Sequence, residues 1–364
     1  MTPGIAPPNM DTGPSAAAWE RWIGEGLRED LNPRDYRAWC EAFGWDAWPQ
    51  SASLVYPKPP LHAEKVLSED ESTVTRRLAD GSIIRDGKGA HKSIYQVLKP
   101  AVATQEEWER LKAHLDADAP IPDGTEDWAR DLFANARNCA IPLRLEAGSL
   151  VGIVRNWLGF EEFCVRQLED PGFVEDMVEA CCRVAEWRIR SFGENGIPVD
   201  MVHFWEDICY KNGPAVTPGY FNAVAVPRYR RIADLCRKYE YPFVSVDSDG
   251  NLSALIGGWI EGGVNVLFPF EAQAGMDVTE VRKRYGRRFA IVGGIHKYRL
   301  VQGEKAIAEE LRRVKPLVGD GGYLPMLDHN VPSDVSLANY LAYCRLKREI
   351  LEIGCPFDPA EVLR

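Results

Sequence analysis

From about residue 139 onward the chain alternates between short apolar runs and helical stretches. Six such runs occur: "AIPLRLEAG", "VDMVHFWED", "PFVSVDSDG", "VNVLFPFE", "FAIVGGIHK" and "GYLPMLDH". Each is too short for a helix, is bounded by glycine or turn residues, and precedes an amphipathic stretch such as "TPGYFNAVAVPRYRRIADLCRKYE". That pattern reads as parallel strands joined by crossover helices. With two more strands among the weaker runs, the expected fold is α/β, a (β/α)8 TIM barrel. A doubly wound open sheet is the alternative, but no GxGxxG or GxxxxGK[ST] follows any strand.

Before residue 139 the texture differs. "AWERWIGEGLRED" and "PRDYRAWCEAFGWDAW" read as short Trp-rich helices, and "STVTRRLADGSIIRDGKGAHKSIYQVLKPAV" as a hairpin followed by an extended segment. "TQEEWERLKAHL" has a helix start at Thr104, with Glu106 and Glu107 in its first turn. The expected organisation is a loose N-terminal tail over 1–18, an elaboration of helices and hairpin over 19–138, and the main part of the barrel over 139–364.

Charge narrows the partners. Lys and Arg total 43 against 54 Asp and Glu, a net −11, which argues against nucleic acid and anionic membrane. No run reaches the roughly 18 apolar residues of a membrane span. The opening "MTPGIAPPNMDTGPSAAAWE" lacks a basic leader and apolar core, so it does not read as a secretion signal. Nine cysteines without a CxxC pair read as reduced thiols in a cytoplasmic protein.

The strand-like runs end in ionisable groups: Glu206 and Asp207, Asp247 and Asp249, Glu271, His296 and Lys297, Asp328 and His329. In a barrel these positions share the C-terminal rim, where such folds keep their chemistry. Asp247 and Asp249 are two apart and so face the same side. With His329 they form a candidate ligand set for zinc, manganese or another divalent metal. Glu206, Asp207 and His296 are candidates for moving protons. Arg144 and Arg155 suit a substrate carboxylate; Trp205, close to the cluster though it also reads as packing, and the strand-end Glu271 are further candidates to line a substrate site. The competing reading is that these acids cap helices and close turns, "DSDGN" being good turn chemistry by itself. His91 reads as a surface-loop residue, Phe204 as packing, and His203 and Cys209 as core or support. No G-x-S-x-G and no HExxH occurs.

The ordered motifs "GSLVGIVRNWLGFEEF", "VHFWEDICYKNGPAVTPGYF", "VDSDGNLSALI", "GMDVTEVRKRYG", "VGGIHKYRL" and "GGYLPMLDHNVPSDVSLANY" resemble the uroporphyrinogen decarboxylase superfamily over roughly residues 70–352. The resemblance is to its uncharacterised branch and to corrinoid-dependent methyltransferases. It implies a single barrel with a deep cleft at the strand C-termini. The haem-pathway decarboxylase carries an "RQAGRY" segment and an "FSD" aspartate, neither of which stands here. The methyltransferase branch holds zinc through His-x-Cys and a later Cys. Those positions fall on Asp247 and Asp249, and near Asp328 and His329. His296 stands where that branch usually has Asp. No corrinoid-binding D-x-H-x-x-G occurs, so a corrinoid would ride on a partner protein.

Three functions follow as expectations. The first is a metal-assisted methyltransferase passing a methyl group from a small O- or N-methyl compound to that corrinoid. The second is a cofactor-independent decarboxylase acting on a carboxylated small molecule. The third is a barrel that binds a ligand without turnover. Pairing as a homodimer stays open.

Overall fold

The computed structural model describes residues 4–53, 61–88, 95–115, 124–138, 140–355 and 357–363. His91 and Cys139 lie outside them. In chain order the strands are β1 (Gln50–Ala52), β2 (Lys65–Glu69), β3 (Thr73–Arg77), β4 (Ile83–Gly87), β5 (Gln96–Lys99), β6 (Leu143–Gly148), β7 (Met201–Trp205), β8 (Cys209–Tyr210), β9 (Gly213–Pro214), β10 (Phe243–Asp247), β11 (Val266–Phe268), β12 (Ala290–Val292) and β13 (Tyr323–Leu324). The main sheet has seven strands in the order β1-β6-β7-β10-β11-β12-β13, and every pair in it is parallel. All six apolar runs are strands of this sheet. The seventh, Gln50–Ala52, pairs with Leu143–Leu145.

Register sorts the side chains onto two faces, because residues alternate along a strand. Leu145, Val202, Val244, Val246, Leu267, Ile291 and Tyr323 belong to the large core shared with the helices. The opposite face carries a separate apolar cluster of Met10, Val266, Ala290, Val292 and Met326, with Trp48, Phe268 and Leu324 packed on it. Its other half, on β6, β7 and β10, is polar: Arg144, Glu146, His203, Ser245 and Asp247. This face of the sheet is therefore split between an apolar half and a charged half.

Local signals explain the crossover helices. Asp170 caps Pro171–Gly193 with proline in its first turn, and Thr217 does the same for Pro218–Lys238. The Gln105–Lys112 helix carries the full capping box of Thr104 and Glu107. The hairpin region forms a four-stranded antiparallel sheet, β2-β3-β4-β5, one strand larger at its start than the sequence suggests.

Residues 9–15 of the opening segment are packed against the rest of the chain. Asn9 and Asp11 are each 1% exposed. Pro14 forms a parallel bridge with Val331, and Ser15 N donates to the Val331 carbonyl at 2.9 Å. A tail rich in Pro and Gly is packed here because Asp11 has a buried cation to meet: Lys347 Nζ lies 2.8 Å from its Oδ2, and both side chains are fully buried. No helix among the described residues is long and apolar enough to cross a membrane. Among the described residues, Cys164, Cys181, Cys182, Cys209, Cys236, Cys344 and Cys355 are free thiols.

Candidate metal centre

β10 delivers the centre of the site. Asp247 ends the strand, opposite Trp205 on one side and Phe268 on the other. The alternation then continues past the strand end. Ser248 turns away and is buried, its N–H donating to the Phe268 carbonyl at 2.8 Å and its Oγ accepting from Ile208 N at 3.2 Å. Asp249 returns to the Asp247 side. Gly250 follows with φ +80°, and a Cβ there would lie 2.7 Å from the Cys209 and Tyr210 backbone. Only glycine fits this close approach, and its N–H donates to Glu271 Oε2 at 2.8 Å.

The ligand atoms gather in two sets that share Asp249. Asp249, Glu271 and His329 form one, Asp207, Asp247 and Asp249 the other, and within each set the atoms lie within 4.8 Å of one another. His329 Nε2 stands 3.8 Å from Asp249 Oδ2, and Lys297 Nζ stands 4.0 Å from Glu271 Oε1. Glu271, expected to line a substrate site, is thus joined to the ligand set. Asp247 keeps company with Asp207 and Asp249 instead of with His329.

Electrostatics follow from this crowding. Burial, then the neighbouring Asp207 and Asp249 carboxylates, push Asp247 well above the usual carboxylate range. Burial and Asp207 push Asp249 up to about 6. Asp207 is raised as well, chiefly by burial. Desolvated like charges favour the protonated forms. A divalent cation would reverse that preference, and an oxygen-rich set with one imidazole suits zinc or manganese. The donors present fit such an ion.

The other predicted residues sit differently. Glu206 is fully buried, and its carboxylate accepts from Leu150 N (2.8 Å), Val151 N (2.9 Å), Gly152 N (2.7 Å), Ser149 Oγ (3.0 Å) and Tyr229 Oη (2.5 Å). Those amides start the Gly152–Leu158 helix, so Glu206 is its anchor and has no acceptor to spare for proton transfer. Arg144 lies level with Met201, toward the N-terminal end of the strands, and its guanidinium binds Glu146 at 2.7 Å and Ser51 Oγ at 2.9 Å. It is committed to that pair rather than poised for a substrate carboxylate. Arg155 donates to the Asp207 carbonyl and to Tyr210 Oη, which fixes the rim beside Asp207. Trp205 stands beside Asp247, half-buried.

His296 belongs to a neighbouring group. Its Nδ1 is 4.0 Å from Asp328 Oδ2, and Asp328 itself is fully buried, accepting from Ala272 N at 2.9 Å and Lys297 N at 3.0 Å. Asp328 therefore ties the loop carrying Glu271 to the loop carrying Lys297. His203, beneath the cluster, bonds Ser245 Oγ at 2.8 Å, and burial lowers it to about 3, a neutral core imidazole. Thr12 and Asp11, which contact the His329 segment, are absent from the sequence expectations: "NMDTGP" resembles any loop, and nothing local announces its partners.

No protein-family model matches the chain, and no curated protein matches it in sequence. Among solved structures, a methyltransferase from Methanosarcina mazei is similar, with a TM-score of 0.60 and 15% identity, the match covering 95% of each chain. At that identity the likeness speaks for the fold alone: the α/β architecture with its central parallel sheet is shared along nearly the whole length of both.

Proposed function

We propose that this chain is a metal-assisted methyltransferase built on a (β/α)8 barrel, with the segment around residues 10–14 standing in the gap between β13 and β1. Barrel closure is supported by the parallel bridge from Pro14 to Val331, the bond from Leu327 N to Asp11 Oδ1, and the packing of Met10 and Trp48 on the inner apolar cluster. The observation that carries the function is the convergence of Asp207, Asp247, Asp249, Glu271 and His329 from four strand ends into two adjoining ligand sets that share Asp249.

In this reading Asp249, Glu271 and His329 hold zinc or another divalent ion. Bound there, the ion supplies Lewis acidity toward the oxygen or nitrogen that a methyl group leaves. Asp247, which burial and its acidic neighbours shift toward the protonated form in the metal-free chain, would stand beside the ion as the proton donor to that leaving atom. Phe268 and Trp205, both half-buried, stand level with Asp247 on the neighbouring strands. The methyl group passes to a corrinoid carried on a separate protein, an element that rests on the motif resemblance alone. The fold shared with a methyltransferase is consistent with the reading.

The test is turnover of small O- and N-methyl compounds by the zinc-loaded chain, with free cob(I)alamin as acceptor and its absorbance as readout. Methyl-dependent loss of cob(I)alamin that disappears in Asp249→Ala supports the reading. No turnover across both compound classes counts against it.

A second reading is favoured by the burial of Asp247 among acidic neighbours, which raises its pKa. A buried carboxyl shifted toward its protonated form is also what a decarboxylase uses to protonate a carbanion. Release of labelled carbon dioxide from carboxylated substrates, without added metal, would distinguish it.

A further inference from the structure

His329 is the sole imidazole in the proposed ligand set, and its backbone is held from a direction the sequence does not advertise. The strand-end segment that carries it is flanked on one side by Ile295, whose carbonyl accepts from Asp328 N at 2.9 Å. On the other side lies the N-terminal segment. Thr12 Oγ1 donates to the His329 carbonyl itself at 3.1 Å. Asp11 Oδ1 accepts from Leu327 N at 3.1 Å, two residues before it. Val331 N donates to the Gly13 carbonyl at 3.1 Å, two residues after it. The histidine is therefore clamped before, at and beyond its own position by three consecutive residues, 11–13.

The clamp is itself anchored. Asp11 Oδ2 accepts from Lys347 Nζ and from the Tyr343 hydroxyl, while Oδ1 also accepts from Thr12 N at 2.9 Å. Lys347 further donates to the Met10 carbonyl at 2.6 Å and lies over the Trp45 ring. A buried ion pair of this kind gives more in positional definition than in stability, because desolvation cancels most of its attraction. The Asp11 carbonyl also accepts from Trp48 Nε1 at 3.0 Å, so one short segment sets both the histidine and an aromatic of the smaller apolar cluster.

We propose that Asp11 and Thr12 are positioning residues for His329, so that the N-terminal segment is a working part of the site. The proposal rests on the metal reading above for its functional consequence. Outer partners of metal ligands commonly change affinity 10–100-fold when lost.

Thr12→Val removes the hydroxyl and keeps the shape, and Thr12→Ser restores the donor. Zinc affinity is read by calorimetry on the full chain, and the His329 ring resonances are read by NMR in metal-free protein, assigned with His329→Gln. The expected result is roughly tenfold or more weaker zinc binding by Thr12→Val, recovery in Thr12→Ser, and a displaced His329 resonance in Thr12→Val alone. Unchanged affinity and an unmoved resonance in Thr12→Val overturn the proposal. Equal loss in both variants does so too, since that marks a packing defect. If the unaltered protein binds no zinc while the His329 resonance still responds to Thr12→Val, positioning stands and the metal reading falls.

Discussion

His329 Nε2 lies 3.8 Å from Asp249 Oδ2, although 80 positions of sequence and two intervening strands separate the residues. The contact is made at the same rim that gathers Glu271, Asp207 and Asp247. An imidazole facing a carboxylate over that gap leaves room for an ion that touches both. The first expectation concerns these ligands singly. His329→Ala and Glu271→Ala should each weaken zinc binding by about tenfold or more, whereas His296→Ala should change it little. Competition against a zinc chelator measures all three.

The acidic crowding has a pH signature. Asp249 has a raised folded-state pKa, near 6, so the folded protein binds more protons than the unfolded chain between about pH 4 and pH 6. Metal-free stability should therefore fall as pH rises through that window. Asp249→Asn cannot ionise and should escape the loss. The variant should be more stable than the parent at pH 7.5 and about equal at pH 4. Because the Asp249 side chain is 43% exposed, solvent screening reduces the difference to about 1 kcal/mol. Urea melts at the two pH values measure it, and saturating zinc should abolish the parent's deficit.

Glu206 is expected to behave as structure. Its five donors include three amides at a helix start, and removing the carboxylate leaves them buried without a partner. Glu206→Ala should cost about 3–5 kcal/mol in unfolding free energy. Gly152→Ala should be similarly harmful, since its Cβ would stand 1.9 Å from the Glu206 carbonyl oxygen. Chemical denaturation followed by tryptophan fluorescence tests both, and a Glu206→Ala protein of normal stability would show the bonds to be dispensable.

The buried pair of Asp11 and Lys347 gives a fourth expectation. Lys347→Met strands the Asp11 charge away from water and should destabilise the fold by about 3–5 kcal/mol. The double variant Asp11→Asn with Lys347→Met should recover part of that loss. A double-mutant cycle on unfolding free energies provides the coupling.

The sequence made much of this visible, for identifiable reasons. Strands such as Phe243–Asp247 and Ala290–Val292 were legible because each is an apolar run closed by turn residues ahead of an amphipathic helix. The rim acids were legible because strand ends share one edge of a parallel sheet. Gln50–Ala52 was not, since three residues with one apolar side chain carry no period, and only pairing with Leu143–Leu145 makes them a strand. Glu206 and Asp207 look alike in sequence, yet one points under the helix start and the other toward the cluster. Nothing in a dipeptide separates them. Asp11 was invisible for a further reason: its cation, Lys347, lies 336 residues away on a helix that reads as an ordinary amphipathic element.

The proposed metal centre is tested most directly by anomalous scattering at the zinc edge from crystals grown with zinc. A single strong peak within bonding distance of Asp249, Glu271 and His329, lost in Asp249→Ala crystals, is the expected result. No peak at that rim, or a peak that survives the substitution, would show that these acids close turns and hold no metal.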